Sequence, residues 1–260
     1  MGPKAGRGER VPYNDRRMTV VEVSAALRHL NCVDLAATLE NGMPSWSTHP
    51  PLRILSGARN YREHGYYAQT LVISEHTGSH VDAPAHYSSQ WADATIDTFP
   101  PSCLIGPYKK FDLSWANLEP GELADVDLLH ECAARTGIAL EQGDIALIQF
   151  GWDRYYPESP SAASAWWGAN EPGLSAEACK YLADVAVSVV GSDTAGCDVA
   201  VRDGKILAIH GHETYFLPRG ILIVEGLRNL AAIPAAGLFI ALPLKVRAGS
   251  GSPIRPIALF

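Results

Sequence analysis

The stretch His76-Thr77-Gly78-Ser79-His80-Val81-Asp82-Ala83-Pro84-Ala85-His86 constrains this chain more than any other. Three of the nine histidines fall within it, and His76, His80, Asp82 and His86 all stand at even positions. In an extended chain alternate side chains share one face, so all four groups would point the same way. The remaining even positions, Gly78 and Pro84, put no competing side chain between them. A helix fits worse: His76 and His80 would align at i, i+4, but Asp82 would turn away and Pro84 would break the ladder. The preceding Leu71-Val72-Ile73 also favours an extended backbone.

One histidine alone would read as a solvated loop residue; this arrangement reads differently. Two imidazoles and a carboxylate converging on a point make a site for a borderline divalent ion with room for water. His76, His80 and Asp82 are the expected metal ligands, and Zn2+ or Mn2+ the expected ion. Such an ion lowers the pKa of water towards neutrality and polarises a carbonyl oxygen. His86, four residues beyond Asp82, is then a general acid/base or an outer ligand.

A second cluster, His210-Gly211-His212-Glu213, precedes an apolar run that leads to Glu225. Glu225 stands at the C-terminal end of an expected strand, where α/β folds commonly present catalytic carboxylates. The alternative is a strand-end ion pair with Arg228. Asp193 has a similar strand-end location and reads as a turn or capping residue. No G-x-S-x-G elbow is present to supply a serine nucleophile.

Short β-branched or apolar runs alternate with helical stretches, the pattern of a mixed α/β domain. Strands are expected over 33–36, 70–75, 105–113, 144–150, 185–190, 220–224 and 238–244. Helices are expected over 20–30, over 125–136 ending on Gly137, and over 175–183 with Ser175 as N-cap. Residues 152–173, rich in Pro, Ser, Ala, Trp and Tyr, read as a long functional loop. At 260 residues, 47% of them hydrophobic, the chain can bury a core of its own, and roughly 75% of its unfolded surface would be covered. A single domain over 18–260 is expected, after a disordered basic tail over 1–17 that carries five basic and two acidic residues and no apolar stretch of the secretory kind.

The net charge of -7 lacks the general attraction to phosphate on which nucleic-acid binders rely. No apolar run reaches the ~18 residues of a membrane span. The five cysteines are scattered and never at C-x-x-C spacing, which suits a reducing, cytoplasmic setting.

With these residues in place, the chain resembles the cyclase family of metal-dependent hydrolases, which includes bacterial kynurenine formamidase, isatin hydrolase and a manganese-dependent dienelactone hydrolase. The family motif H-x-G-T-H-x-D-x-P-x-H is matched from His76 to His86, and Ser79 in place of Thr keeps the hydroxyl. Asn41-Gly42-Met43-Pro44 with Trp46 resembles the family's G-M-P segment, and the stretch from Gly220 to Leu230 resembles its G-I-x-I-x-E-x-L-x-N-L. The resemblance implies a swivelling β/β/α domain with a mixed sheet and flanking helices, assembled as a homodimer or higher homo-oligomer. It implies that His76, His80 and Asp82 bind the catalytic metal and that His86 is a catalytic histidine beside it. In two-metal members a further His and a Glu complete the site, and Glu225 matches that Glu. Counting back from Gly220 without a gap puts the His position on Glu213; one extra residue puts it on His212. One ion and two ions both stay open.

The activity implied is cleavage of a C–N amide or lactam bond in a small aromatic substrate, as in isatin hydrolase or an arylformamidase. Trp46, Phe150, Trp152, Trp166 and Trp167 could wall such a pocket. An ester or lactone hydrolase of the dienelactone type and a non-catalytic metal-binding protein are the alternatives.

Overall fold

Ile145, Ala146, Leu147 and Ile148 run without a polar residue, the mark of a strand covered on both faces. The computed structural model describes residues 18–157 and 162–260, and the expected tail over 1–17 lies outside them. Ahead of Cys32 stands one described helix, α1 (Val20–Leu27), opened by a capping box between Thr19 and Glu22. It ends three residues before the expected boundary at Leu30 and buries none of its side chains.

From Cys32 onward the first strands are β1 (Cys32–Asp34), β2 (Arg53–Arg59), β3 (Ala68–Val72), β4 (His80–Asp82) and β5 (Ile105–Asp112), with the short helix α2 (Tyr61–His64) between β2 and β3. Then come β6 (Leu123–Ala124), α3 (Val126–Thr136), β7 (Ile145–Gln149), α4 (Ala162–Ala169), β8 (Gly173–Leu174), α5 (Ala176–Val185) and β9 (Val189–Ser192). The last strands are β10 (Val199–Arg202), β11 (Lys205–Ile209), β12 (Leu222–Glu225), β13 (Ala236–Ile240), β14 (Gly251–Pro253) and β15 (Ile257–Leu259).

Nine strands form one mixed sheet in the order β1-β15-β13-β5-β7-β9-β12-β4-β14. The central β5, β7, β9 and β12 are parallel, and antiparallel strands extend both flanks. The two-residue period of the strands divides the core in two. Ala146, Ile148, Val190 and Ile223 face Leu129 and Cys132 of α3 and Leu182 of α5. Ile145, Leu147, Val189, Leu222 and Val224 face Leu35, Tyr108, Leu227, Phe239 and Ala258 on the other side. The α/β class with a mixed sheet and flanking helices is as expected.

Asp125 caps α3 and Gly137 closes it in the left-handed conformation, as the spacing requires. Elsewhere the structure corrects the expected elements. The strand over 185–190 starts late, because α5 runs on to Val185 and Ala186 takes the left-handed turn that ends it. The supposed loop over 152–173 contains a 3-10 turn at Trp152–Tyr155, α4 and β8. The strand expected over 70–75 appears as β3, two residues earlier, whereas β2 and β11 had no alternating signal to announce them, since much of each is exposed.

Candidate metal centre

β4 lies between β12 and β14, with His80 opposite Glu225 on one side and Asp82 opposite Gly251 on the other. His80 and Asp82 are two residues apart on this strand and share its face, as parity requires. The strand is only three residues long, so the expected extended run from 76 to 86 is corrected. His76 arrives through a turn whose Gly78 has φ +65°, where a Cβ would also stand 3.0 Å from Leu39 Cδ2. His86 arrives on the 3-10 turn Pro84–His86. The hydroxyl kept at Ser79 closes the turn: it donates to the Gly226 carbonyl at 2.7 Å and accepts the Ala37 N–H at 2.8 Å.

His212 joins from a π-turn, Gly211–Tyr215. Such an i→i+5 turn takes in one residue more than an α-turn, and is a recurrent feature of functional sites. Of the two residues that the counting left open, His212 is buried in the cluster, while Glu213 is exposed and accepts the Tyr87 hydroxyl at 3.0 Å. Asp198, fully buried and unmarked by any sequence pattern, holds the turn. Its Oδ2 accepts the Gly211 N–H at 2.6 Å and its Oδ1 meets His212 Nδ1 at 2.5 Å. Glu225 accepts the Cys197 N–H at 2.9 Å. Arg228 does not pair with it; the guanidinium lies over Tyr156 and donates to the Asp153 carbonyl. Asp193 caps the Trp152–Tyr155 turn by accepting the N–H groups of Phe150 and Trp152.

The polar atoms converge without satisfying one another. His80 Nε2 stands 3.4 Å from Asp82 Oδ1 and 3.3 Å from Glu225 Oε2, and His212 Nε2 stands 3.5 Å from both Asp82 Oδ2 and Glu225 Oε1. These separations exceed those of a charge-assisted hydrogen bond, about 2.7–2.9 Å. They are of the size expected between two donor atoms that share an ion at about 2.0–2.1 Å, about 3.3–3.4 Å. Asp82 Oδ2 is enclosed and has no hydrogen-bond partner among the described residues. A carboxylate oxygen left bare in the interior is costly, and a cation is what it lacks. The donor set therefore fits a divalent ion. His76 is differently engaged, with Nδ1 2.6 Å from Asp82 Oδ1 and Nε2 2.9 Å from Ser250 Oγ.

Charge follows the same logic. Burial opposes a proton on His80, yet Asp82 and Glu225 overcome it and raise the imidazole to about 9. Burial likewise opposes the Asp82 charge, and His80, His212 and His76 hold the carboxyl well below its usual range. For His86 burial wins: the imidazole falls to about 4, with His76 and His212 adding to the effect. His86 is therefore uncharged at neutral pH, with its ring 3.8 Å from that of His76 at the edge of the cluster.

The cluster forms the floor of a cavity of about 330 Å³. Trp46, Tyr87, Tyr156 and Trp167 wall it, with Ile206 and Ile209 of β11 on another side, and among the described residues no lysine or arginine lines it. Trp46 and Trp167 stand where the sequence suggested. Trp152 and Phe150 are core residues instead, and Trp166 stacks on Trp152. His49, which carried no motif, also lines the cavity, and its Nδ1 is enclosed without a hydrogen-bond partner among the described residues.

The cyclase family model matches residues 33–199. The chain is 30% identical over 194 residues to the isatin hydrolase of Roseibium aggregatum, covering 73% of each chain. It is 31% identical over 188 residues to the kynurenine formamidase of Paracidovorax citrulli, covering 72% of this chain and 77% of that one. Among solved structures, an isatin hydrolase bound to the product analogue thioisatinate superposes with a TM-score of 0.81 at 25% identity, over 94% of this chain and 99% of the other. Isatin hydrolase A from Ralstonia solanacearum superposes with a TM-score of 0.79 at 27% identity, over 94% and 98% of the two chains. The fold and the site thus define a protein of the metal-dependent hydrolase class. This chain belongs to the cyclase family.

Proposed function

We propose that the protein is a metal-dependent hydrolase that opens a C–N amide bond in a small aromatic substrate, with an isatin-type lactam as its best candidate. The observation that carries this reading is the convergence of His80, His212, Asp82 and Glu225 around a buried carboxylate oxygen that has no hydrogen-bond partner among the described residues. His76, His80 and Asp82 hold a Zn2+ or Mn2+ ion in this reading, and His212 and Glu225 complete its surroundings or hold a second ion. Such an ion supplies Lewis-acid polarisation of the scissile carbonyl and acidifies water.

His86 takes a proton from the attacking water at a ring nitrogen, which its neutral state allows. Water oxygen bonds to the carbonyl carbon, the C–N bond breaks, and the proton passes from His86 to the departing nitrogen. The aromatic walls bind a flat ring, and among the described residues neither a lysine nor an arginine lines the cavity to pair with an anionic group on it. Relatives named isatin hydrolase and kynurenine formamidase support amide chemistry.

Elemental analysis of the purified protein, with hydrolysis of isatin, N-formylkynurenine and a simple lactone before and after chelation, tests this. The expected result is a bound divalent ion and isatin turnover that chelation abolishes and Zn2+ or Mn2+ restores. Turnover that survives chelation overturns the mechanism, activity on lactones alone overturns the amide reading, and a full complement of ion without hydrolysis makes the ion structural.

A homodimer or larger homo-oligomer is part of the same proposal, supported by the exposed Leu55, Leu71 and Val72 of the β2–β3 ribbon; sedimentation tests it. So is a cytoplasmic setting, supported by five free cysteines.

A further inference from the structure

We infer that Gly249-Ser250-Gly251, with Glu75, forms a cradle that fixes which ring nitrogen of His76 faces the metal centre. The inference rests on reading the cluster as a metal centre. Ser250 Oγ donates to Glu75 Oε2 at 2.8 Å, and the Ser250 N–H reaches the same oxygen at 2.9 Å. A serine hydroxyl has one hydrogen, and here the carboxylate takes it. What Ser250 Oγ offers His76 Nε2 at 2.9 Å is therefore a lone pair. Nε2 therefore carries a proton, while Nδ1 is turned to the centre, where without an ion it meets Asp82 Oδ1 at a hydrogen-bond distance of 2.6 Å.

The three histidines differ in this respect. His80 and His212 engage their outer Nδ1 with the Gly78 carbonyl and with Asp198, which turns Nε2 inward. His76 turns the opposite nitrogen inward, so its outer partner has to stand at Nε2. Ser250 is the group found there.

The glycines on either side leave the space this requires. A Cβ on Gly251 would stand 2.6 Å from His76 Cε1, and one on Gly249 would stand 2.8 Å from Glu75 Oε1. Neither glycine has a positive φ, so what is used is the absent side chain rather than conformational freedom. The tripeptide is also tied to the ligand strand. The Ser250 carbonyl accepts the Ala83 N–H at 2.9 Å, the Gly249 carbonyl accepts the Ile96 N–H at 2.8 Å, and Gly251 pairs with Asp82. Glu75 and Ser250 are thus positioning residues that act through His76, supplied from 174 residues further along the chain in the case of Ser250.

The test measures Zn2+ affinity of the full-length protein by competition with a chromophoric chelator. Ser250→Ala and Glu75→Gln should each weaken binding by about 10–100-fold, the usual cost of losing a ligand's outer partner. Ser250→Thr, which keeps the hydroxyl, should restore most of it, and the ion-free melting temperatures should stay close to the parent's. Affinities of both variants within about twofold of the parent, or a loss that Ser250→Thr leaves unrepaired, overturn the cradle. Nitrogen-15 NMR of labelled histidines gives a readout independent of the ion. A proton on His76 Nε2 is expected, and a bare Nε2 with the proton on Nδ1 alone overturns the inference. If the protein takes up no divalent ion, the metal-centre reading fails, and the His76 proton still decides the cradle.

Discussion

His80 and Asp82 reach the centre through strand register, whereas His212 reaches it through a buried carboxylate. The first pair belongs to β4, whose pairing with β12 and β14 sets both side chains on one face. His212 belongs to a π-turn that Asp198 holds by two backbone N–H groups and the imidazole itself. Glu225 stands at the junction, placed by register opposite His80 and steadied by the Cys197 N–H. A register-built half survives the loss of a single side-chain contact, because backbone ladders hold it. A half built on a buried acid depends on that acid's charge and shape, because a group removed there leaves its partners unpaired.

The sharpest way to break this comparison is Asp82→Asn, which touches both halves. Elemental analysis should find the ion at background, and hydrolysis should fall to the level of the chelated enzyme. His86→Ala should come next. The ion should stay bound while kcat falls by about 10²–10⁴-fold, the usual contribution of a positioned acid/base. Retention of most of kcat would remove His86 from the proton-transfer role.

Asp198→Asn probes the carboxylate-held half alone. Ion affinity should weaken by about 10–100-fold in the chelator assay while His80 and Asp82 of β4 stay in place. An unchanged affinity would mean that the π-turn holds itself.

Ion-free protein should also respond to pH. Folding raises His80 from its ordinary 6.5 to about 9, so the stabilisation it brings is complete below 6.5 and lost as pH rises through about 9. The chelated protein should therefore melt at progressively lower temperature between these values, while the ion-loaded protein, in which the cation replaces the proton, should change little over the same window. Parallel melting curves with and without ion would count against a shared site. The smallest effect is expected for Glu213→Ala, at an exposed side chain: stability within about 0.5 kcal/mol and unaltered ion affinity. A loss as large as that of Asp198→Asn would return the ligand position to Glu213.

Parity over residues 76–86 made the first half legible, although the backbone that realises it is a turn, a short strand and a 3-10 turn rather than one extended run. Convergence survived that error because Gly78 and Pro84 sit where the chain has to bend. The central strands were legible because parallel strands covered on both faces are apolar throughout. Less could be read where exposure erased the pattern, as in β2 and β11. The aromatic loop misled for a related reason: tryptophan composition does not say which ring faces a cavity, and Trp152 points into the core with its Nε1–H donated to the Asn170 carbonyl.

By itself, the order of residues determined the donor types, the eleven-residue spacing of the first half, the strand-end placement of Glu225 and the α/β class. Tertiary structure alone decided that His212 rather than Glu213 enters the cluster, because neighbouring residues of a turn point to different sides and only the backbone of the π-turn shows which one faces inward. It alone brought in Asp198, Glu75 and Ser250, whose roles come from hydrogen bonds across 14 to 175 positions of chain. Such partners have no period and no motif. They are chosen by which buried nitrogen or oxygen would otherwise stand alone.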